Sequence, residues 1–120
     1  MESATITGRV HASGRPIGKG WIEFMPTSGT TGRLRSAALA PDGTFTATKV
    51  PVGAVSIRLP GPPSPSTGDG ELDRFLVHIR RNPFKLIDVR SGGNRPLDLD
   101  LSLELRDQTR RALMTPEPGR

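Results

Sequence analysis

Leu97-Asp98-Leu99-Asp100-Leu101-Ser102-Leu103-Glu104-Leu105 places a leucine at every second position for nine residues. Successive side chains of an extended chain point to opposite faces, so this alternation predicts a strand with one buried and one wet side. The leucines point inward on that reading, and Asp98, Asp100 and Glu104 share the outward face. A one-sided strand needs a second layer to cover its leucines. The rest of the chain supplies one.

Upstream, the same period of two recurs in shorter pieces. Ala4 to Ala12 sends Ile6, Val10 and Ala12 to one side and Thr5, Thr7, Arg9 and His11 to the other. Trp21 to Met25 turns Ile22 and Phe24 inward, and Pro26 ends the run by removing a ladder donor. Leu34 to Ala40 is a weaker strand. Pro41-Asp42-Gly43-Thr44 is a turn, because proline sets φ and Asp-Gly offers an acceptor and a residue free to take positive φ. Phe45 and Ala47 point inward from the next strand, then Val55, Ile57 and Leu59 from Ala54–Leu59, then Ile87 and Val89 from Lys85–Val89. Seven short strands punctuated by turns predict an all-β fold, a seven-stranded antiparallel Greek-key β-sandwich.

Two segments stand outside this pattern. Residues 60–83 read as a long Pro/Gly-rich loop or insertion, with four prolines and three glycines between 60 and 73. Within it, 72–81 is open between two readings: Phe75, Val77 and Ile79 suit a strand, and Leu72, Phe75, Leu76 and Ile79 suit one face of a helix. Residues 1–105 are thus one domain, and 106–120, where apolar content falls, read as a flexible tail.

Composition narrows the function. The chain has 120 residues, of which 33% are hydrophobic, with 14 Gly, 12 Pro, no Cys and no Tyr. Absence of cysteine excludes disulfides, thiolate zinc sites and a cysteine nucleophile. No apolar run reaches the ~18 residues of a membrane helix, and Met1-Glu2-Ser3-Ala4-Thr5 lacks the basic and apolar regions of an export signal. Net charge is +5, with basic and acidic groups interleaved over residues 69–120, which reads as solvated surface more than as a nucleic-acid stripe.

The order of short motifs resembles the carboxypeptidase regulatory-like domain. Ile6-Thr7-Gly8-Arg9-Val10, Gly14-Arg15-Pro16-Ile17 and Trp21-Ile22-Glu23-Phe24-Met25-Pro26 are similar to its opening strand, its G-x-P loop and its strand ending in Phe-x-Pro. Asp42-Gly43-Thr44-Phe45, Val50-Pro51-Val52-Gly53, Val89 to Asn94 and the closing Leu/Asp alternation continue the order over residues 4–105, except 60–83. Short single-domain bacterial members, of planctomycete type, look most similar. The resemblance implies a transthyretin-like (prealbumin-like) sandwich without catalytic activity, serving as an accessory or scaffold in protein or carbohydrate contacts, often at the cell envelope.

Several motifs invite sharper readings. Thr27 to Arg35, rich in Thr, Ser and Gly, is similar to the phosphate loop of adenylate-forming enzymes, but those need several hundred residues; a polar connection is the expectation. Asp98, Asp100 and Glu104 suggest calcium, yet a straight strand spaces its carboxylates ~7 Å apart, so cross-strand pairing with Arg or Lys is expected instead. His11 and His78 are expected at the surface, and Trp21 in the core rather than as an exposed sugar-stacking ring. No catalytic residue, cofactor site or metal site is assigned. Arg74, Arg80, Arg81, Lys85 and Arg90 are the candidate contacts to a macromolecular partner, a protein or polysaccharide; the alternative is an anion- or nucleic-acid-binding protein using its surface arginines. Nucleic acid is not expected, since stacking aromatics are lacking.

Overall fold

The computed structural model describes residues 3–27, 29–61 and 68–114, with side chains described as far as Arg110. It contains eight strands, β1 (Ser3–Ala12), β2 (Arg15–Pro16), β3 (Trp21–Pro26), β4 (Arg35–Ala38), β5 (Thr44–Pro51), β6 (Gly53–Arg58), β7 (Lys85–Val89) and β8 (Leu97–Asp100), and two helices, α1 (Gly70–Arg81) and α2 (Leu101–Met114). One sheet is built around β1, which pairs with β2, β5 and β8; the other runs β4-β3-β6-β7.

The period-two residues meet between these sheets. Ile6, Val10, Ala12, Phe45, Ala47, Val50 and Leu99 come from the first sheet, and Ile22, Phe24, Val55 and Ile57 from the second, all buried in one cluster. Phe24 and Phe45 touch across the gap with ring centroids 6.0 Å apart. Tight turns set the registers. Ser13 and Gly14 both take positive φ, 52° and 79°, which is the mirror-image turn whose twist suits a two-residue hairpin between β1 and β2. Asp42 accepts from the Thr44 amide and hydroxyl and so closes the turn between β4 and β5.

Three expectations are corrected. The fold is β-rich, not all-β, because two helices are present. The pairing of β1 with β8 is parallel, with Gly8 opposite Leu97 and Val10 opposite Leu99. Parallel neighbours need a crossover connection, and the whole chain between β1 and β8, passing through the other sheet, provides it. The nine-residue strand, lastly, stops at Asp100. The Asp100 carboxylate accepts from the amides of Ser102 and Leu103, so it caps a helix at the point where the alternation pattern continues unbroken. Leu101 is buried and Leu105 packs on the core one turn later, while Leu103, inward on a strand, is 48% exposed. Helix α2 spans Leu101–Met114.

The open reading of 72–81 resolves as helix. Asp69 caps it, accepting from the amides of Glu71 and Leu72, and Leu72, Phe75, Leu76 and Ile79 form its buried face. Val77, which only the strand reading turned inward, is exposed. The helix is tied to the sandwich by the Leu59 amide donating to the Ile79 carbonyl and by the Phe84 amide donating to the Ile57 carbonyl.

Two substitutions separate the parts of this account. Leu99→Ala should cost about 2–5 kcal/mol, the usual loss for a fully buried leucine. Asp100→Ala should cost about 0.5–2 kcal/mol through the cap alone, with Asp100→Asn close to wild type. Denaturant unfolding reads both; an Asp100→Ala protein as stable as wild type would remove the cap from the account.

Candidate functional site

Alternation that fills the core also decides what is presented outward. In β3, Ile22 and Phe24 are buried, so Trp21, Glu23 and Met25 must point away from the core. Strand register then places Ala38 beside Trp21, Ser36 and Arg58 on either side of Glu23, and Ser56 beside Met25, with Leu86 of β7 beyond Ser56. Among the described residues this outer sheet face carries three large exposed apolar side chains: Trp21 at 48%, Met25 at 39% and Leu86 at 64%. The core expectation for Trp21 is thereby overturned. The signal was legible, because any strand that turns Ile22 and Phe24 inward turns Trp21 out.

At the centre of the same face lies an ion pair. Arg58 Nε donates to Glu23 Oε1 and Arg58 Nη2 to Glu23 Oε2, both at 2.9 Å. Glu23 is only 8% exposed, so the parallel fork holds a carboxylate that is nearly out of water.

The five basic residues expected to meet a partner do not form one patch. Arg74 and Arg81 share the exposed face of α1 with Val77 and His78, two turns and about 10 Å apart along the axis. Arg80 turns aside, its Nε donating to the Gly61 carbonyl at 2.8 Å. Lys85 pairs with Glu104 of α2. Arg90 follows β7 and is roughly 17 Å along the chain from Lys85.

The remaining motifs are engaged locally. Asp98, Asp100 and Glu104 go separate ways: Asp98 to Arg9 and His11, Asp100 to the α2 cap, Glu104 to Lys85. Among the described residues no group of three or more His, Cys, Asp or Glu is placed to hold a metal. In the Thr27–Arg35 loop, Thr27 donates to the Ala54 carbonyl and Arg35 Nε to the Lys49 carbonyl; Ser28 lies outside the described residues. His78 lies on α1 beside Asn82, on a different element from His11. Among the described residues, no helix is long and apolar enough to cross a membrane.

A cleft that sequence reasoning missed opens between the first turn of α1, the Ser13 turn and α2, enclosing about 590 Å³. Its lining includes Leu72 and Leu105 with the charged side chains of Glu71, Arg106 and Arg110. It exists only because residues 101–110 are helical. The available signal was a capping Asp100, an acidic Glu104 in the first turn and arginines at 106, 110 and 111 beyond it.

Comparison of the chain with protein-family models, with curated proteins and with solved structures finds no match.

On the opposite sheet, His11 Nε2 lies 2.6 Å from Asp98 Oδ1, to which Arg9 Nε also donates. The His11 bond above all holds the Asp98 carboxyl below its ordinary value; desolvation opposes it, and the Arg9 bond and charge add to the lowering. A depressed folded-state pKa adds stability that is present above the unfolded value of about 3.9 and is lost as pH falls through the folded value. A carboxyl-carbon NMR titration should show the Asp98 midpoint below the ordinary aspartate range and rising toward it in His11→Ala; an unchanged midpoint would contradict the assignment.

Proposed function

We propose that the chain is a non-enzymatic contact module that holds another macromolecule, a protein or polysaccharide, on the outer face of the β4-β3-β6-β7 sheet. The carrying observation is Trp21, Met25 and Leu86 exposed together on that face. Most of a protein's apolar surface is scattered singly, whereas an aromatic ring, a thioether and a leucine sharing one sheet face suit a binding surface. The reading includes a seven-stranded Greek-key, transthyretin-like sandwich of the carboxypeptidase regulatory-like kind. Its support is the division of strands, four in one sheet and, in the other, β1, β5 and β8 with the two-residue β2 at the edge, together with the ordered motifs from Ile6 to Leu101. The cell envelope follows from that resemblance as the proposed place of action.

A second reading uses charge. Arg74 and Arg81 on the outward face of α1 offer a short basic stripe to an acidic partner. Salt separates the two, since contacts made through apolar surface survive the screening that removes exposed charge contacts.

The test is retention of the purified chain on the envelope fraction of its own host cells at about 1 M salt, where screening acts beyond roughly 3 Å. Wild type should stay bound, and a Trp21→Ala, Met25→Ser, Leu86→Ser protein should be released with its melting curve nearly unchanged. Equal retention of both would defeat the sheet-face reading. Release of both by salt, together with loss of low-salt retention in Arg74→Ala, Arg81→Ala, would favour the basic stripe.

A further inference from the structure

Resting on the contact-surface reading above, we infer that Trp21 and the Glu23–Arg58 pair form a saccharide subsite, taking a neutral pyranose whose ring stacks on the indole. The indole is seated from behind. The Trp21 backbone amide donates to the Pro60 carbonyl at 3.1 Å, and a Cβ placed on Gly61 would come within 3.3 Å of ring carbon Cε3 and 2.8 Å of the Gly20 Cα. Gly61 also takes a φ of 136°, so no side chain fits there in space or in conformation. Arg80, bonded to the Gly61 carbonyl, holds this support in place. A ring braced in this way and 48% exposed is a preorganised platform, which binds with little loss of side-chain freedom.

What lies next to the ring selects the ligand. Glu23 is two residues along the same strand, about 7 Å away, and the pair it forms with Arg58 has no net charge, so it offers an ionic ligand no unbalanced partner. It remains rich in hydrogen-bonding groups. Arg58 is a planar fork of N–H donors, two of them aimed at Glu23, and its side chain is 31% exposed. A flat apolar ring beside a planar guanidinium whose charge Glu23 balances matches a molecule that is apolar on its face and hydroxylated round its rim. A glucose-configured pyranose is such a molecule, because its equatorial hydroxyls radiate in the ring plane and its axial C–H bonds make an apolar face. A protein partner would be better served by contiguous apolar area, whereas here the ion pair lies between Trp21 and Met25, and Ser56 between Met25 and Leu86.

Trp21 is the single tryptophan of the chain, so its emission reports this subsite and nothing else. Titration of the full chain with cellohexaose and with maltohexaose should shift and quench-protect that emission for at least one of the two. Calorimetry with the responding oligosaccharide should show Trp21→Phe weakened and Trp21→Ala weakened at least about tenfold, the loss expected of one aromatic anchor. Arg58→Lys, which keeps the charge and loses the fork, should also weaken binding, and Gly61→Ala should change the emission before any sugar is added. No response to either hexasaccharide, or binding that Trp21→Ala leaves intact, overturns the inference. So does envelope retention that depends on Trp21 but is abolished by treating the envelope fraction with proteinase; that outcome identifies a protein on the same face and leaves the contact-surface reading standing.

Discussion

The apolar layer between the two sheets is the constraint from which the rest follows. The longer strands give alternate side chains to that layer, and Val10, Ile22, Phe24, Val50, Val55 and Ile57, all fully enclosed, lie in it. At this size a chain buries only about two thirds of its unfolded surface, so one layer must serve both sheets, and the helices close its open end with Leu72, Phe75, Ile79 and Leu101. β1 is the element the layer can least spare. It bonds to three other strands, and its parallel pairing with β8 brings the chain's end back to its beginning.

Most of this was legible, because period two is a physical consequence of strand geometry and survives in sequence. Inward assignments for Ile6, Val10, Ile22, Phe24, Phe45, Ala47, Val55, Ile57 and Leu99 all describe buried side chains. The stretch from Leu97 to Leu105 misled for an equally physical reason. Leu101 and Leu105 are separated by four residues, which satisfies both an alternating strand and one turn of helix, and only Leu103 distinguishes them. What decided the matter was the Asp100 carboxylate, a polar group acting on backbone amides, to which hydrophobic periodicity is blind. The helical option in 72–81 was visible, yet its deciding residue, Asp69, lay just outside the stretch being weighed.

The candidate site was less legible than the fold. Listing cations along the chain groups Arg74, Arg80, Arg81, Lys85 and Arg90, but a helix, a carbonyl and a neighbouring carboxylate disperse them. The outer sheet face, by contrast, follows from the core: once the inward residues are fixed, Trp21, Met25 and Leu86 have nowhere else to point. Glu23 then lies among them and needs Arg58, since a carboxylate so nearly withdrawn from water is costly without a partner. Core formation, the buried pair and the proposed binding face are therefore three consequences of one alternation.

The four phenylalanines offer the most direct test of that alternation, because few aromatic spin systems need resolving. Phe24 and Phe45 belong to different sheets with centroids 6.0 Å apart, and Phe75 and Phe84 meet edge to face at 6.3 Å. An aromatic NOE spectrum of the full chain should show cross-peaks within each of these two pairs. A folded chain in which Phe24 and Phe45 give no mutual cross-peak would contradict the facing of the two sheets.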